Sequence, residues 1–217
     1  MSAPTTYAEG TRVLAAADPV IARLLEETGP VSFVAQPESN FVALVRAITY
    51  QQLAGAAARA IYARLVALLG DDIVPESVLR HSEVELRSAG LSHAKTLSIL
   101  DLSAKALDGS ITVDDSKLAS LTDDEIIAEL ETVRGIGPWT AQIFVMIHLG
   151  RLDVLPSGDL GIRKGYGLAW GVPTPTAKEL DALGERFRPY RSVLSWYCWR
   201  AAETYGASQA SAVTGGV

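Results

Sequence analysis

Apolar residues recur at helical period in almost every segment of this chain, and that periodicity limits its fold more than any other feature. Phe41, Leu44, Val45 and Ile48 fall at i, i+3, i+4 and i+7. Ile61, Leu65, Leu68 and Leu69 repeat the pattern, as do Leu97, Leu100, Ala104 and Leu107, and then Ile126, Ile127, Leu130 and Val133. No run of strict alternation lies between hairpin turns, so an all-α fold is expected. Thr122-Asp123-Asp124-Glu125 and Thr176-Ala177-Lys178-Glu179 read as capping boxes, the second just after Pro175. Gly29-Pro30, Gly70, Gly90 and Gly109 read as helix stops. Helices are predicted near 6–16, 18–28, 40–53, 55–69, 92–108, 123–133, 138–149, 159–169, 176–187 and 189–205. Shorter turns are expected at 75–80 and 82–88, and a small, polar, flexible tail over 206–217.

Several chemistries are excluded at once. Cys198 is the only cysteine, so neither a disulfide framework nor a multi-thiolate zinc or iron–sulfur site can form. The longest uncharged stretch, Gly135 to Gly150, is sixteen residues and contains Pro138, Gln142 and His148. That is too short and too polar for a membrane span. The first basic residue is Arg12 and no apolar run follows it, so no signal peptide is expected. The default expectation is a soluble cytoplasmic protein, and a monomer. The net charge of −6 looks unfavourable for a nucleic-acid partner, but it is unevenly spread. From Arg134 to Arg200 there are nine Lys/Arg against five Asp/Glu; the rest of the chain holds ten against twenty. Phosphate binding depends on the local field and on backbone donors, so the acidic total does not exclude DNA.

Two segments carry candidate chemistry. In Val133-Arg134-Gly135-Ile136-Gly137-Pro138-Trp139-Thr140-Ala141 an amphipathic helix ends in Gly-Ile-Gly and another begins at Pro138. Two glycines two apart permit positive φ and close approach of another backbone. The free amides and dipole of the following helix suit a phosphate diester, with Ile136 packed inward as an anchor. A plain tight αα-hairpin fits the same residues. Twenty-two residues after Gly137, in Leu155-Pro156-Ser157-Gly158-Asp159-Leu160-Gly161-Ile162-Arg163-Lys164, Asp159 stands at or beside a helix N-cap. It reads either as a cap worth about 1 kcal/mol or as a carboxylate set to stabilise a cationic sugar and orient a water.

The ordered set resembles the helix-hairpin-helix DNA glycosylases, in particular the alkylbase branch, 3-methyladenine DNA glycosylase II (AlkA type). The matching residues are Leu130, the hairpin Val133 to Ala141, Leu155 to Lys164, Phe187 to Ser192 and Trp199. Phe41 to Leu53 with Gln51-Gln52, and Ala89 to Ser92 with Lys95, also match, so the resemblance covers about residues 38–203. It implies two helical subdomains around a cleft. One joins 1–38 to 155–205; the other, 39–154, carries the helix-hairpin-helix at about 123–149. It also implies a monofunctional glycosylase that excises alkylated purines from double-stranded DNA in base excision repair.

Residue by residue, the resemblance makes Asp159 the catalytic carboxylate and places Trp139, Trp199 and Ile143 at the base pocket. It puts Gly135, Ile136, Gly137, Trp139, Thr140, Arg134, Arg163 and Lys164 at the DNA backbone, with Arg191 a further phosphate candidate. Gln52 falls at the wedge position, although Leu53 beside it is the more hydrophobic plug, and the choice stays open. Tyr50 stands where a small residue is usual, and Ile143 replaces an aromatic residue of the pocket. No organic cofactor or side-chain metal site is implied, but a sodium or potassium ion on the hairpin carbonyls of Val133 and Ile136 is. Lyase-type members carry a lysine where this chain has Trp139, so no amine nucleophile is available there. The chain is also expected to lack the mixed α/β domain that precedes the matched region in some members. Two other readings remain: a non-catalytic helix-hairpin-helix DNA-binding protein, and a bifunctional glycosylase/lyase. Trp170 and Trp196 are expected in the core, together with His148 and Cys198.

Overall fold

A computed structural model describes residues 6–33, 37–70 and 72–214, with side chains through residue 206. Among the described residues there is no β-strand, so the fold is all-α. They fall into two compact units, Met1–Val34 with Leu149–Val217, and Ala35–His148.

The first unit contains α1 (Tyr7–Ala17) and α2 (Pro19–Thr28) from the start of the chain. Asp18 ends α1 and caps α2, its carboxylate accepting the Val20 and Ile21 amides. The unit is completed after residue 149, and those helices are α11 (Leu160–Trp170), α12 (Ala177–Gly184) and α13 (Arg191–Thr214). Between them, in chain order, the second unit supplies α3 (Asn40–Tyr50), α4 (Gly55–Leu69), α5 (Pro75–Leu79), α6 (Glu83–Ser88), α7 (His93–Asp108), α8 (Asp115–Leu118), α9 (Asp123–Glu131) and α10 (Pro138–Ile143).

In the first unit Ile21, Leu24, Ile162, Leu180, Val193, Leu194 and Tyr197 are fully buried in one cluster. Trp196 and Cys198 lie in that core as well, and Trp170 packs against it, stacked on Tyr166 at 4.3 Å. Helices α11 and α13 meet backbone to backbone: a Cβ on Gly165 would collide with the Cys198 carbonyl. In the second unit Leu44, Val45, Ile48, Leu65, Ile99 and Leu102 are fully buried. Both capping boxes form, Thr122 with Glu125 and Thr176 with Glu179.

Four local differences from the periodicity matter. Helix α3 stops at Tyr50, three residues early, because Gln52 turns left-handed (φ 55°) and Lys95 takes the Thr49 and Gln51 carbonyls. The predicted 138–149 helix is α10 followed by a π turn over Phe144–His148. His148 stacks on Phe144 there, half-buried, and burial holds its pKa down. On α7 the buried residues are Thr96, Ser98, Ile99, Leu102 and Ser103, while Leu107 of the predicted apolar face is exposed. The three hydroxyls donate back to carbonyls four residues earlier, which satisfies them inside the core. Helix α13 continues to Thr214 rather than ending near 205. No proline interrupts residues 207–214, and alanine there favours the helix. The rest of the predicted tail, 215–217, lies outside the described residues.

Candidate active site

The glycine bend belongs to the second unit. Helix α9 is C-capped by Thr132, and Ile136, buried inward, anchors the turn by donating its amide to the Val133 carbonyl at 3.0 Å. Only Gly135 is left-handed (φ 77°); Gly137 is extended (φ −99°) and caps α10. Positive φ is therefore needed at one glycine, not both. A Cβ on Gly135 would strike Ser98 Oγ, whereas one on Gly137 would meet nothing within 4 Å. Gly137 thus has no internal reason to be small, and its lack of a side chain matters only to something approaching from outside.

One face of α7 supports the bend. Lys95, Ser98, Asp101 and Lys105 recur at three- and four-residue steps, the spacing of one helix side. Asp101 accepts the Arg134 amide at 2.7 Å and the Lys105 ammonium at 3.0 Å, and Lys105 also donates to the Thr132 carbonyl. Burial works to raise the Asp101 pKa. The Arg134 amide and Lys105 outweigh it and hold the carboxyl below its ordinary value. From α3, Gln51 Nε2 donates to the Gly135 carbonyl at 3.0 Å and to Thr140 Oγ1 at 3.3 Å. Arg134 is exposed, Ile143 is half-buried, and Trp139 leaves 48% of its surface exposed. Gln52 and Leu53 are exposed at the α3–α4 turn. The carbonyls of Val133 and Ile136 are neutral oxygen donors, a set whose chemistry fits a hard monovalent cation.

Asp159 belongs to the first unit. It is the N-cap of α11, and its Oδ1 accepts the Ile162 amide at 2.9 Å and the Trp199 indole N–H at 3.3 Å. Gly161 makes this possible. A Cβ there would lie 3.0 Å from Asp159 Oδ1 and 3.4 Å from Trp199 Cδ1. Phe33 meets Trp199 edge-on at 6.5 Å, and Tyr7 meets Phe33 at 5.1 Å. The carboxylate therefore stands beside an aromatic wall.

The approach to Asp159 is clamped by the first turns of α13. Ser192 Oγ donates to the Arg151 carbonyl and accepts the Val154 amide. Arg191 holds the Asp153 carboxylate at 2.8 and 3.0 Å, so this candidate phosphate contact is committed to the fold. Arg163 donates to the Pro175 carbonyl at 3.4 Å, with its Nε buried and without a hydrogen-bond partner, while Lys164 is exposed.

Gln51, Lys95, Ser98, Asp101 and Phe33 were not singled out for these roles by the sequence. The polar stripe on α7 was the one local signal that could have revealed three of them. Elsewhere, burial pushes the Cys198 thiol pKa far up, so it is an inert core thiol and no nucleophile. Among the described residues no group of three or more His, Cys, Asp or Glu could hold a metal, and no helix is long and apolar enough to cross a membrane.

Over most of its length the chain is similar to known proteins. DNA-3-methyladenine glycosylase 1 of Schizosaccharomyces pombe is 31% identical over 163 residues, covering 74% of this chain and 71% of its own. The crystal structure of a DNA-3-methyladenine glycosidase from Bacillus halodurans superposes with a TM-score of 0.82 at 34% identity, covering 91% of each chain. The Schizosaccharomyces pombe 3-methyladenine DNA glycosylase Mag1 in complex with abasic DNA gives 0.77 at 27% identity, covering 90% of this chain and 97% of that one. A sequence model of the HhH-GPD superfamily base excision DNA repair proteins matches residues 45–189, and the chain belongs to that superfamily.

Proposed function

We propose that this protein is a monofunctional DNA glycosylase that hydrolyses the N-glycosidic bond of alkylated purines, of 3-methyladenine and 7-methylguanine type, in base excision repair. The observation that carries the reading is the Asp159 carboxylate, fixed by the Ile162 amide and the Trp199 indole, in a chain whose hairpin is followed by Trp139 and not by an amine.

An alkylated purine carries a positive charge, so its glycosidic bond is already weakened. The nucleotide is first flipped from the duplex, which costs a few kcal/mol. As the C1′–N bond breaks, the bonding electron pair leaves with the base and neutralises it, and the sugar becomes oxocarbenium-like. Asp159 stabilises that cation, positions the water that attacks C1′ and takes up its proton. The products are an abasic sugar and a free base. The cationic base leaves without a protein acid. Trp199, beside Asp159, supplies a π face that favours a cationic ring; Trp139 and Ile143 are the base-pocket residues that the resemblance assigns to the second unit.

Backbone amides of Gly135, Gly137 and Trp139 grip a phosphate, with Thr140 and Arg134 as supporting contacts and Ile136 contributing only backbone; Arg163 and Lys164 are the DNA-backbone candidates of the first unit. A sodium or potassium ion on the Val133 and Ile136 carbonyls would add positive charge beside that phosphate. Gln52 or Leu53, both exposed at the α3–α4 turn, fills the gap left by the extruded base. The reading includes action as a monomer on double-stranded DNA in the cytoplasm.

A panel of duplexes bearing single lesions, assayed for released base, tests the proposal. Release of 3-methyladenine or 7-methylguanine is expected; no release from any duplex would leave a non-catalytic DNA-binding protein. Borohydride reduction during turnover should trap no covalent adduct, because no lysine follows the hairpin. An adduct would make the enzyme a lyase.

A further inference from the structure

We infer that Gln51 is a positioning residue that ties the α3–α4 turn to the glycine bend, so that the base-displacing tip and the phosphate grip act as one piece. The inference rests on the glycosylase reading above and adds a residue to it.

The Gly135 carbonyl can only accept, so the amide nitrogen of Gln51 must face it. That nitrogen carries two protons: one reaches Gly135 O at 3.0 Å and the other Thr140 Oγ1 at 3.3 Å. The same peptide plane is held at its other end, where the Ile136 amide donates to Val133 O. With both ends pinned, the Gly135–Ile136 peptide cannot rotate, and the amides of Gly135 and Gly137 on either side of it keep one direction. Gln51 thus joins the end of α3 to the bend and to the first turn of α10, eighty-four and eighty-nine residues away in sequence.

The other side of Gln51 is equally constrained. Its own carbonyl accepts Lys95 Nζ at 2.7 Å, and the same ammonium takes the Thr49 carbonyl at 2.8 Å. These are unsatisfied carbonyls of the last turn of α3, and a cation is their natural cap. The next residue, Gln52, is exposed and left-handed (φ 55°), a conformation that a non-glycine residue keeps only when its surroundings impose it. The Leu53 amide closes the turn on the Tyr50 carbonyl at 3.3 Å, and Gln51 and Lys95 hold the residue that leads into it. A tip that pushes a base out of the stack is itself pushed back. Tied to the bend, it delivers that force against the strand the bend holds.

The test compares one lesion in two duplexes: 7-methylguanine opposite cytosine, which must be unpaired before it is extruded, and 7-methylguanine opposite an abasic site, which is already unpaired. Gln51→Met keeps the length of the side chain and removes both donors. Gln51→Glu places a carboxylate against the Gly135 carbonyl. Single-turnover base release by Gln51→Met should fall about tenfold or more on the paired lesion and no more than about threefold on the unpaired one, since the step affected is extrusion. Gln51→Glu should fall at least as far on the paired lesion. Fluorescence of 2-aminopurine placed next to the lesion should show less unstacking in both variants, and thermal unfolding should show both folded. Equal losses on the two duplexes, or no loss on either, overturn the assignment of Gln51. Failure of the parent protein to release 7-methylguanine from either duplex, together with no release of 3-methyladenine from methylated DNA, overturns the glycosylase reading instead.

Discussion

At the scale of single residues, the site depends on what lies beside Asp159 as much as on the carboxylate. An N-cap aspartate is ordinary, and its amide bond to Ile162 is what any capping carboxylate makes. The indole N–H of Trp199 on the same oxygen, and the missing side chain at Gly161, are what an ordinary cap does not require. This yields a sharp expectation. Gly161→Ala places a methyl 3.0 Å from Asp159 Oδ1 and must shift either the carboxylate or Trp199 by a few tenths of an ångström. Alanine is the better helix former by about 0.5–1 kcal/mol, so the melting temperature should hold or rise. Base release should nevertheless fall about tenfold, since small misplacements of a reacting group are costly. A variant that keeps both stability and full rate would show that the position of this carboxylate is not critical.

At the scale of elements, α7 acts as a strut through its stripe of Lys95, Ser98, Asp101 and Lys105. Asp101 has a pKa below its ordinary value in the folded protein, so its bonds add stability above the ordinary carboxylate pKa, where the unfolded chain is also ionised. That contribution is lost as pH falls through the ordinary value towards the lowered one. Asp101→Asn removes the charge facing Lys105 but keeps an acceptor for the Arg134 amide. It should cost about 1 kcal/mol or less at neutral pH. Denaturant unfolding of parent and variant should show that difference shrinking as pH drops below about 4. A difference independent of pH would mean the ion pair contributes nothing.

Much at this scale could be read from the sequence. The amphipathic helices, the capping boxes at Thr122 and Thr176, the hairpin and the Asp159 turn all have local signatures. The rest left no such trace. The four residues of α8 are too few to show a period. The buried face of α7 carries Thr96, Ser98 and Ser103, whose hydroxyls are satisfied by their own helix, so a hydrophobicity pattern pointed to the wrong side. The end of α3 is set by Lys95, more than forty residues away, and the bend by Gln51, more than eighty away. A side chain that bonds to a distant backbone carbonyl obeys no sequence period.

At the scale of the whole molecule, the first unit is assembled from the two ends of the chain, with α11 and α13 as its tightest pair. Gly165→Ala drives a methyl into the Cys198 carbonyl, and neither backbone can yield without separating the helices. Overpacking of this kind costs about 1–3 kcal/mol or more. Thermal unfolding should show a large loss, and base release should fall with it because Trp199, next to Cys198, bonds to Asp159. Unchanged stability would mean that α11 and α13 are not packed as described.

In the proposed reaction a fixed carboxylate at residue 159 carries the hydrolysis. Single-turnover release of a methylated purine, compared between the parent and Asp159→Asn, measures this directly. Asparagine keeps the shape and can still accept the Ile162 amide, but it cannot stabilise a sugar cation or take up a proton. A loss of at least about 10²-fold is predicted, with binding of abasic duplex nearly unchanged. Release at the parent rate would contradict the account.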